Sequence, residues 1–368
     1  MFNSADPWEG ATKEICPKLK KLKNRLNIMG CRRLDVDNKI AKIVTMVEIL
    51  PDALKNSEIW QMGRVMKPIQ IILNDIYKML LGVPKDTNTY AIHKELGVIF
   101  QQHRADYMSA TFGYFLQGLP PERIAKKAFD ALATEPRNEK CNPFQKNSVT
   151  EYLDPLIAEI FENDTTYNKK EAKDKAQLWM QKKQEQDFIN KCKESRTCES
   201  LRKVSSDPCT APHLLKHRFL SPLLAYGKLC KTRLRLGCHG LSTDQRQTRK
   251  DSHNQTCPCC KKSMESITHF LLKCPSYDKI RKTSFEKIDQ KTRNLDANDK
   301  EKLGINTRFG LLNSEKQINF ILHDKLPKEI EKIIYIFLAK IFNIRSSILK
   351  EQKSTGPAIT TPTPPRHH

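Results

Sequence analysis

The stretch that most constrains this chain runs from Cys257 to Cys274. It reads Cys257-Pro258-Cys259-Cys260, then eight residues to His269, then four more to Cys274. Soft thiolates and an imidazole, opened by a tight Cys-x-x-Cys pair, suit a tetrahedral zinc ion. Cys257, Cys260, His269 and Cys274 are the expected ligands. With four protein ligands no position is left for water, so the zinc is expected to be structural. Cys259 is left over, either as a structural residue or as a register alternative to Cys257. His269 and Cys274 are five apart, a little over one helical turn, so a helix can set both on one face. Phe270, Leu271 and Leu272 between them are expected to pack around the metal. A disulfide framework suits a secreted chain, but Met1-Phe2-Asn3-Ser4 does not open like a signal peptide. A redox Cys-x-x-Cys motif stands without a trailing His and Cys.

The rest of the sequence sets the partner class. Its 368 residues carry 64 Lys+Arg against 42 Asp+Glu, a formal charge of +22. Such an excess calls for a polyanion, nucleic acid or an anionic membrane. No uninterrupted apolar run approaches the ~18 residues of a membrane span. Residues 169–250 alone hold twenty Lys+Arg and eight Asp+Glu, with Trp179, Phe219, Tyr226, His213, His217 and His239 interleaved. That mixture favours phosphate binding with some base stacking over a merely solvated face. Arg233, Arg235, Arg246, Arg249 and Lys250 are the expected phosphate contacts, by charge and position. The remaining cysteines show no framework spacing, so a reducing nuclear or cytoplasmic compartment is expected.

Local patterns are helical throughout. Residues 1–12 read as irregular, and Lys18–Arg25 as a basic amphipathic helix with Leu19, Leu22 and Leu26 on one face. A helix over the 38–66 region is expected to end at Pro51. Lys67–Gly82 is the cleanest helix of this half, with Pro68 in its first turn and Gly82 as its stop. Further helices are expected at 99–117, at Glu171–Cys192, at Ser284–Lys302 and at Pro327–Lys350. In the last, Ile330, Ile334, Phe337, Ile341, Ile344 and Ile348 recur at helical spacing. Core packing is its main expected role, a dimer seam the lesser one. Asn138–Asn147 and Ser205–Pro212 read as linkers, and Ser354–His368 as a disordered tail.

The surroundings of the cluster are more specific than the cluster. Upstream stands Thr232-Arg233-Leu234-Arg235-Leu236-Gly237-Cys238-His239-Gly240-Leu241. Within and after it come Glu265, then His269-Phe270-Leu271-Leu272-Lys273-Cys274-Pro275-Ser276-Tyr277, then Arg281. This resembles the zinc-binding region at the C-terminal end of reverse transcriptases of non-LTR (LINE-type) retrotransposons. A looser likeness to the thumb of the same enzymes runs through Leu50-Pro51, Trp60, Ile69-Gln70, Leu81-Gly82-Val83-Pro84 and Glu95-Leu96-Gly97. The resemblance implies a mostly α chain: a thumb-like helical region over 1–137 and a basic helical linker over 138–230. A CCHC zinc module over 231–285, a C-terminal helical region over 286–352 and a tail over 353–368 complete it.

Catalytic residues are not found. A reverse transcriptase needs paired palm aspartates to hold two metal ions. No Asp-Asp pair occurs in the sequence, and Asp35-Val36-Asp37 reads as a turn or helix cap. Residues 281–350 also lack the Pro-Asp lead of the endonuclease that some relatives carry after the zinc unit. The expectation is therefore a non-catalytic fragment that holds template RNA or target DNA. Two alternatives stand beside it. One is a zinc-stapled scaffold that recruits a protein through the Ile334-Phe337-Ile341 face. The other is a polymerase subunit completed in trans by a separate palm.

Overall fold

The computed structural model describes residues 7–28, 66–134, 149–162, 167–193, 195, 198, 201, 221–244, 255–303, 305 and 307–354. They are mostly helical. No strand occurs among them, only an isolated antiparallel bridge between Thr256 and Met264. The chain divides into two compact units. The first comprises residues 1–219 with 235–237, the second 220–234 with 238–368. The expected module boundaries do not follow that division. The boundary between 230 and 231 cuts the continuous helix Pro222–Arg235, and that between 285 and 286 cuts Asp278–Arg293.

The first unit is a helical bundle of α1 (Pro7–Ile28), α2 (Met66–Leu81), α3 (Thr89–Leu96), α4 (Gln101–Gln117), α5 (Ile124–Thr134), α6 (Val149–Phe161) and α7 (Lys169–Lys193). α1 begins at Pro7, within the stretch expected to be irregular, and continues through Pro17. Leu19 and Leu26 are buried as expected. α2 buries Ile69, Leu73, Ile76 and Leu80, together with Tyr77. It stops where Gly82 takes a φ of 61°, a left-handed conformation that costs glycine nothing. α3 is opened by the Asn88 side chain, which accepts from the Tyr90 and Ala91 amides, and closed by Gly97 at φ 57°. α4, α6 and α7 share a core of Ala110, Tyr114, Leu156, Ile157, Ile160, Phe161, Ala172 and Ala176. A Cβ on Gly113 would lie 2.8 Å from the Ile157 side chain, so the glycine lets α4 and α6 approach closely. The helix expected over 38–66 and both expected linkers lie outside the described residues.

The second unit contains α8 (Pro222–Arg235, up to Leu234), the Cys257–Cys274 turn, α9 (Asp278–Arg293), α10 (Ala297–Lys302), α11 (Ser314–Leu322) and α12 (Lys328–Ser354). The single helix expected over 284–302 is two, separated by Asn294–Asp296, where Asp296 caps α10 by accepting from the Asp299 amide. α12 is the spine of this unit. Ile330, Ile334, Phe337 and Ile341 are 0–1% exposed within the unit's own core. Phe337 packs on Phe285 of α9, and Phe342 on Phe270 beside the cysteine cluster. This is the core role predicted for the face. α8 lies against α12 with almost no gap. A Cβ on Gly227 would sit 1.9 Å from the Tyr335 carbonyl oxygen. The fully buried Lys231 reaches Glu331 of α12 at 3.1 Å and donates to the His323 carbonyl at 2.8 Å.

Candidate metal centre

The cluster is built by two short backbone devices. The first is a tight turn at Cys257–Ser263. The Lys261 amide donates to the Cys257 carbonyl, and the Cys257 amide to the Ser263 carbonyl, at 2.9 and 2.7 Å. Lys261 takes a φ of 54°, which closes the turn and brings Cys257 and Cys260 round to one side. The second is a π-helical turn over His269–Lys273, in which the Cys274 amide donates to the His269 carbonyl at 2.7 Å. In an α-helix, residues five apart are ~140° off a common face. The i to i+5 bond of the π turn reduces that mismatch, and Cys274 follows in an extended conformation just past the turn. The two donors thus meet across the end of a π turn, not on the face of a regular helix as expected.

These devices bring the Cys257, Cys260 and Cys274 sulfurs and a His269 ring nitrogen within 4.8 Å of one another. The Cys257 and Cys274 sulfurs are 3.8 Å apart, and Cys260 Sγ is 3.3 Å from His269 Nε2. A tetrahedral ion with metal–sulfur bonds of ~2.3 Å separates its sulfurs by ~3.8 Å, so the donor set has the dimensions to hold a metal ion. Burial pushes the Cys274 thiol up to about 12 and the His269 imidazole down. A divalent cation binds the thiolate and the neutral imidazole, so it would reverse the first cost and suits the second. Cys259 stands apart. Its sulfur meets the Tyr277 hydroxyl at 2.9 Å, which separates it from the four ligand atoms. Of the two candidates that the spacing left open, Cys257 is the one in the cluster.

A shell of arginine and glutamate fixes this turn. Glu265 is fully buried and accepts from Arg345 Nε at 2.6 Å and Nη2 at 2.8 Å. It also accepts from the Ser242 amide and hydroxyl, at 2.6 and 2.8 Å. Arg345 Nη2 further donates to the Gly240 carbonyl at 3.0 Å. Arg281 donates from Nε to the Leu271 carbonyl and from Nη2 to the Cys274 carbonyl, at 3.0 and 2.7 Å, and pairs with Asp278. It thus ties the π turn and the residue that follows it to the start of α9. Phe270 and Leu271 are fully buried as expected, and Leu272 is half-buried.

The expected phosphate contacts fare differently. Arg235 is a correction: it lies in the first unit, 1% exposed, with Nε and Nη2 on the Glu95 carboxylate at 2.9 and 3.0 Å. Its charge is spent on a buried partner and offers nothing to a phosphate. Arg233 is half-buried in α8. Arg246, Arg249 and Lys250 lie outside the described residues. Residue counting missed the lysines around the metal turn. Lys261, Lys262, Lys273, Lys279 and Lys282 are all exposed, and none has an ion-pair partner among the described residues. The signal that could have found them is their closeness in sequence to the candidate donors Cys260 and Cys274.

Among the described residues, no helix is long and apolar enough to cross a membrane. No family model, curated protein or solved structure matches the chain.

Proposed function

We propose that the chain is a nucleic-acid-binding module whose second unit is stapled by a structural zinc ion, akin to the C-terminal region of a non-LTR reverse transcriptase. One observation carries this reading. Around the four donors, both acidic residues of 255–283 are neutralised, Glu265 by Arg345 and Asp278 by Arg281, while five exposed lysines are left unopposed. The segment that carries the four donors therefore bears an excess of exposed positive charge, which suits a phosphate backbone. Zinc suits three thiolates and one imidazole better than harder cations, which prefer oxygen. Its role here is to hold the Cys257–Ser263 and His269–Cys274 turns together. The likeness at Glu265, His269-Phe270-Leu271-Leu272 and Arg281 supports the relationship. In this reading the chain contributes grip to template RNA or target DNA and no bond-forming step.

The test is a salt series of RNA and duplex-DNA binding on zinc-loaded protein. Replacing Lys261, Lys262 and Lys273 by Gln is expected to weaken binding without sequence dependence. It should also lower the slope of log affinity against log salt by about 2 to 3. A slope that does not change would remove this surface from the interface. The scaffold reading is less well supported, because the Ile334-Phe337-Ile341 face it relied on is buried within the second unit.

A further inference from the structure

We infer that the first unit carries a second, separate site, a groove that takes single-stranded nucleic acid by stacking its bases. The inference rests on the nucleic-acid reading above and gives it a strand preference. The groove encloses about 740 Å³ between the exposed face of α4 and the first turns of α7. Tyr107 and Phe115 lie on that face two helical turns apart, with Phe112 alongside. Phe112 and Phe115 are 44% and 49% exposed, although neighbouring residues of α4 are fully packed. Two exposed phenylalanines on one face are costly to leave in water and present flat rings to the groove. Tyr167 closes one end, pinned where its amide donates to the Tyr114 hydroxyl at 2.9 Å.

Charge selects the occupant. The groove is lined by two lysines, Lys169 and Lys173, one turn apart on α7, and by no acidic residue. Lys169 Nζ lies 5.9 Å from the centre of the Phe115 ring, so cation and ring share one surface. Aromatic rings for bases with adjacent ammonium groups for phosphates is the arrangement that binds single strands without reading sequence. In a duplex the base faces are covered by their neighbours, so they cannot use these rings.

The experiment compares wild type with the Phe112→Ala/Phe115→Ala double variant, using a labelled uridine-rich RNA oligonucleotide and a duplex DNA of equal charge. Both rings are exposed, so their loss spares the core, and thermal unfolding checks this. Single-strand affinity is expected to fall about tenfold or more, with duplex affinity unchanged. A photoreactive oligonucleotide is expected to cross-link within residues 107–115, and Lys169→Gln/Lys173→Gln to reduce the yield. If both proteins bind the oligonucleotide equally, or cross-links map only to the second unit, the groove has another occupant, such as an apolar peptide. The inference then fails while the function proposed above stands. If the intact chain binds neither nucleic acid, both fail.

Discussion

Arg345 holds Glu265 through two parallel hydrogen bonds, Nε to Oε1 at 2.6 Å and Nη2 to Oε2 at 2.8 Å, across eighty residues of sequence. The pair joins the metal turn to the spine helix α12, and Ser242 adds two more donors to the same carboxylate. A metal ion held by the four donors would staple only a local loop. This pair connects the loop to the rest of the second unit.

Removing one partner leaves the other charged and buried. Glu265→Ala is therefore expected to destabilise the second unit by about 3–5 kcal/mol. Arg345→Lys keeps the charge but loses the planar two-bond fit, so it should not restore wild-type stability. Urea unfolding of zinc-loaded protein measures both. A loss below about 1 kcal/mol for Glu265→Ala would mean that the pair is not the connection described.

Cys259 and Cys257 separate structure from spacing. Cys257→Ala is expected to lose bound zinc and Cys259→Ala to keep one equivalent, since Cys259 faces Tyr277. A chromogenic zinc-release assay reads the stoichiometry. Retention by the first variant and loss by the second would reverse the assignment.

Gly227 faces the backbone of α12 rather than a side chain that could move aside. Gly227→Ala places a methyl group 1.9 Å from the Tyr335 carbonyl oxygen. The helices must separate, at a cost toward the upper end of about 1–3 kcal/mol or beyond. Thermal unfolding is expected to show a lower midpoint, whereas Gly118→Ala, with nothing closer than 3.8 Å, should change little through contact.

His93 makes the first unit sensitive to acid. Burial pushes its imidazole from 6.5 down to about 3, with the ring stacked on Phe100 at 3.9 Å and Nδ1 3.2 Å from the Val98 carbonyl. Between those two values the unfolded chain binds a proton that the folded chain refuses. Stability from this group is therefore complete above about 6.5 and falls as the pH drops, by about 1.4 kcal/mol per pH unit. A His93→Asn variant is expected to show a flatter pH dependence of unfolding than wild type over that window. Parallel curves would contradict the assignment.

Legibility followed the range of the interactions. The helices α2, α4 and α12 were readable because their apolar spacing or their Pro and Gly stops are local, and α7 because its polar, Lys- and Gln-rich run is local too. The four donors that could hold a metal ion were readable for the same reason, since all lie within eighteen residues. Arg235 was not, because whether an arginine faces water or a carboxylate depends on Glu95, 140 residues away. The role of Glu265 was equally hidden, for its partner lies in α12. The π turn was concealed because a five-residue ligand spacing does not reveal which hydrogen-bond ladder will serve it. Charge counting located the cationic excess in 169–250, and burial then set Arg235 apart from the lysines that stand exposed around the metal.

The function proposed for the chain is a zinc-held turn that presents a cationic surface to nucleic acid. It is tested most directly by measuring RNA and duplex-DNA affinity across a salt series for wild type and a His269→Ala variant, with bound zinc assayed in each. The account predicts salt-steep binding by the zinc-loaded chain and a weaker, less salt-dependent affinity in the variant that has lost its metal. Equal affinity and equal slope with and without zinc, or no binding at physiological salt, would contradict it.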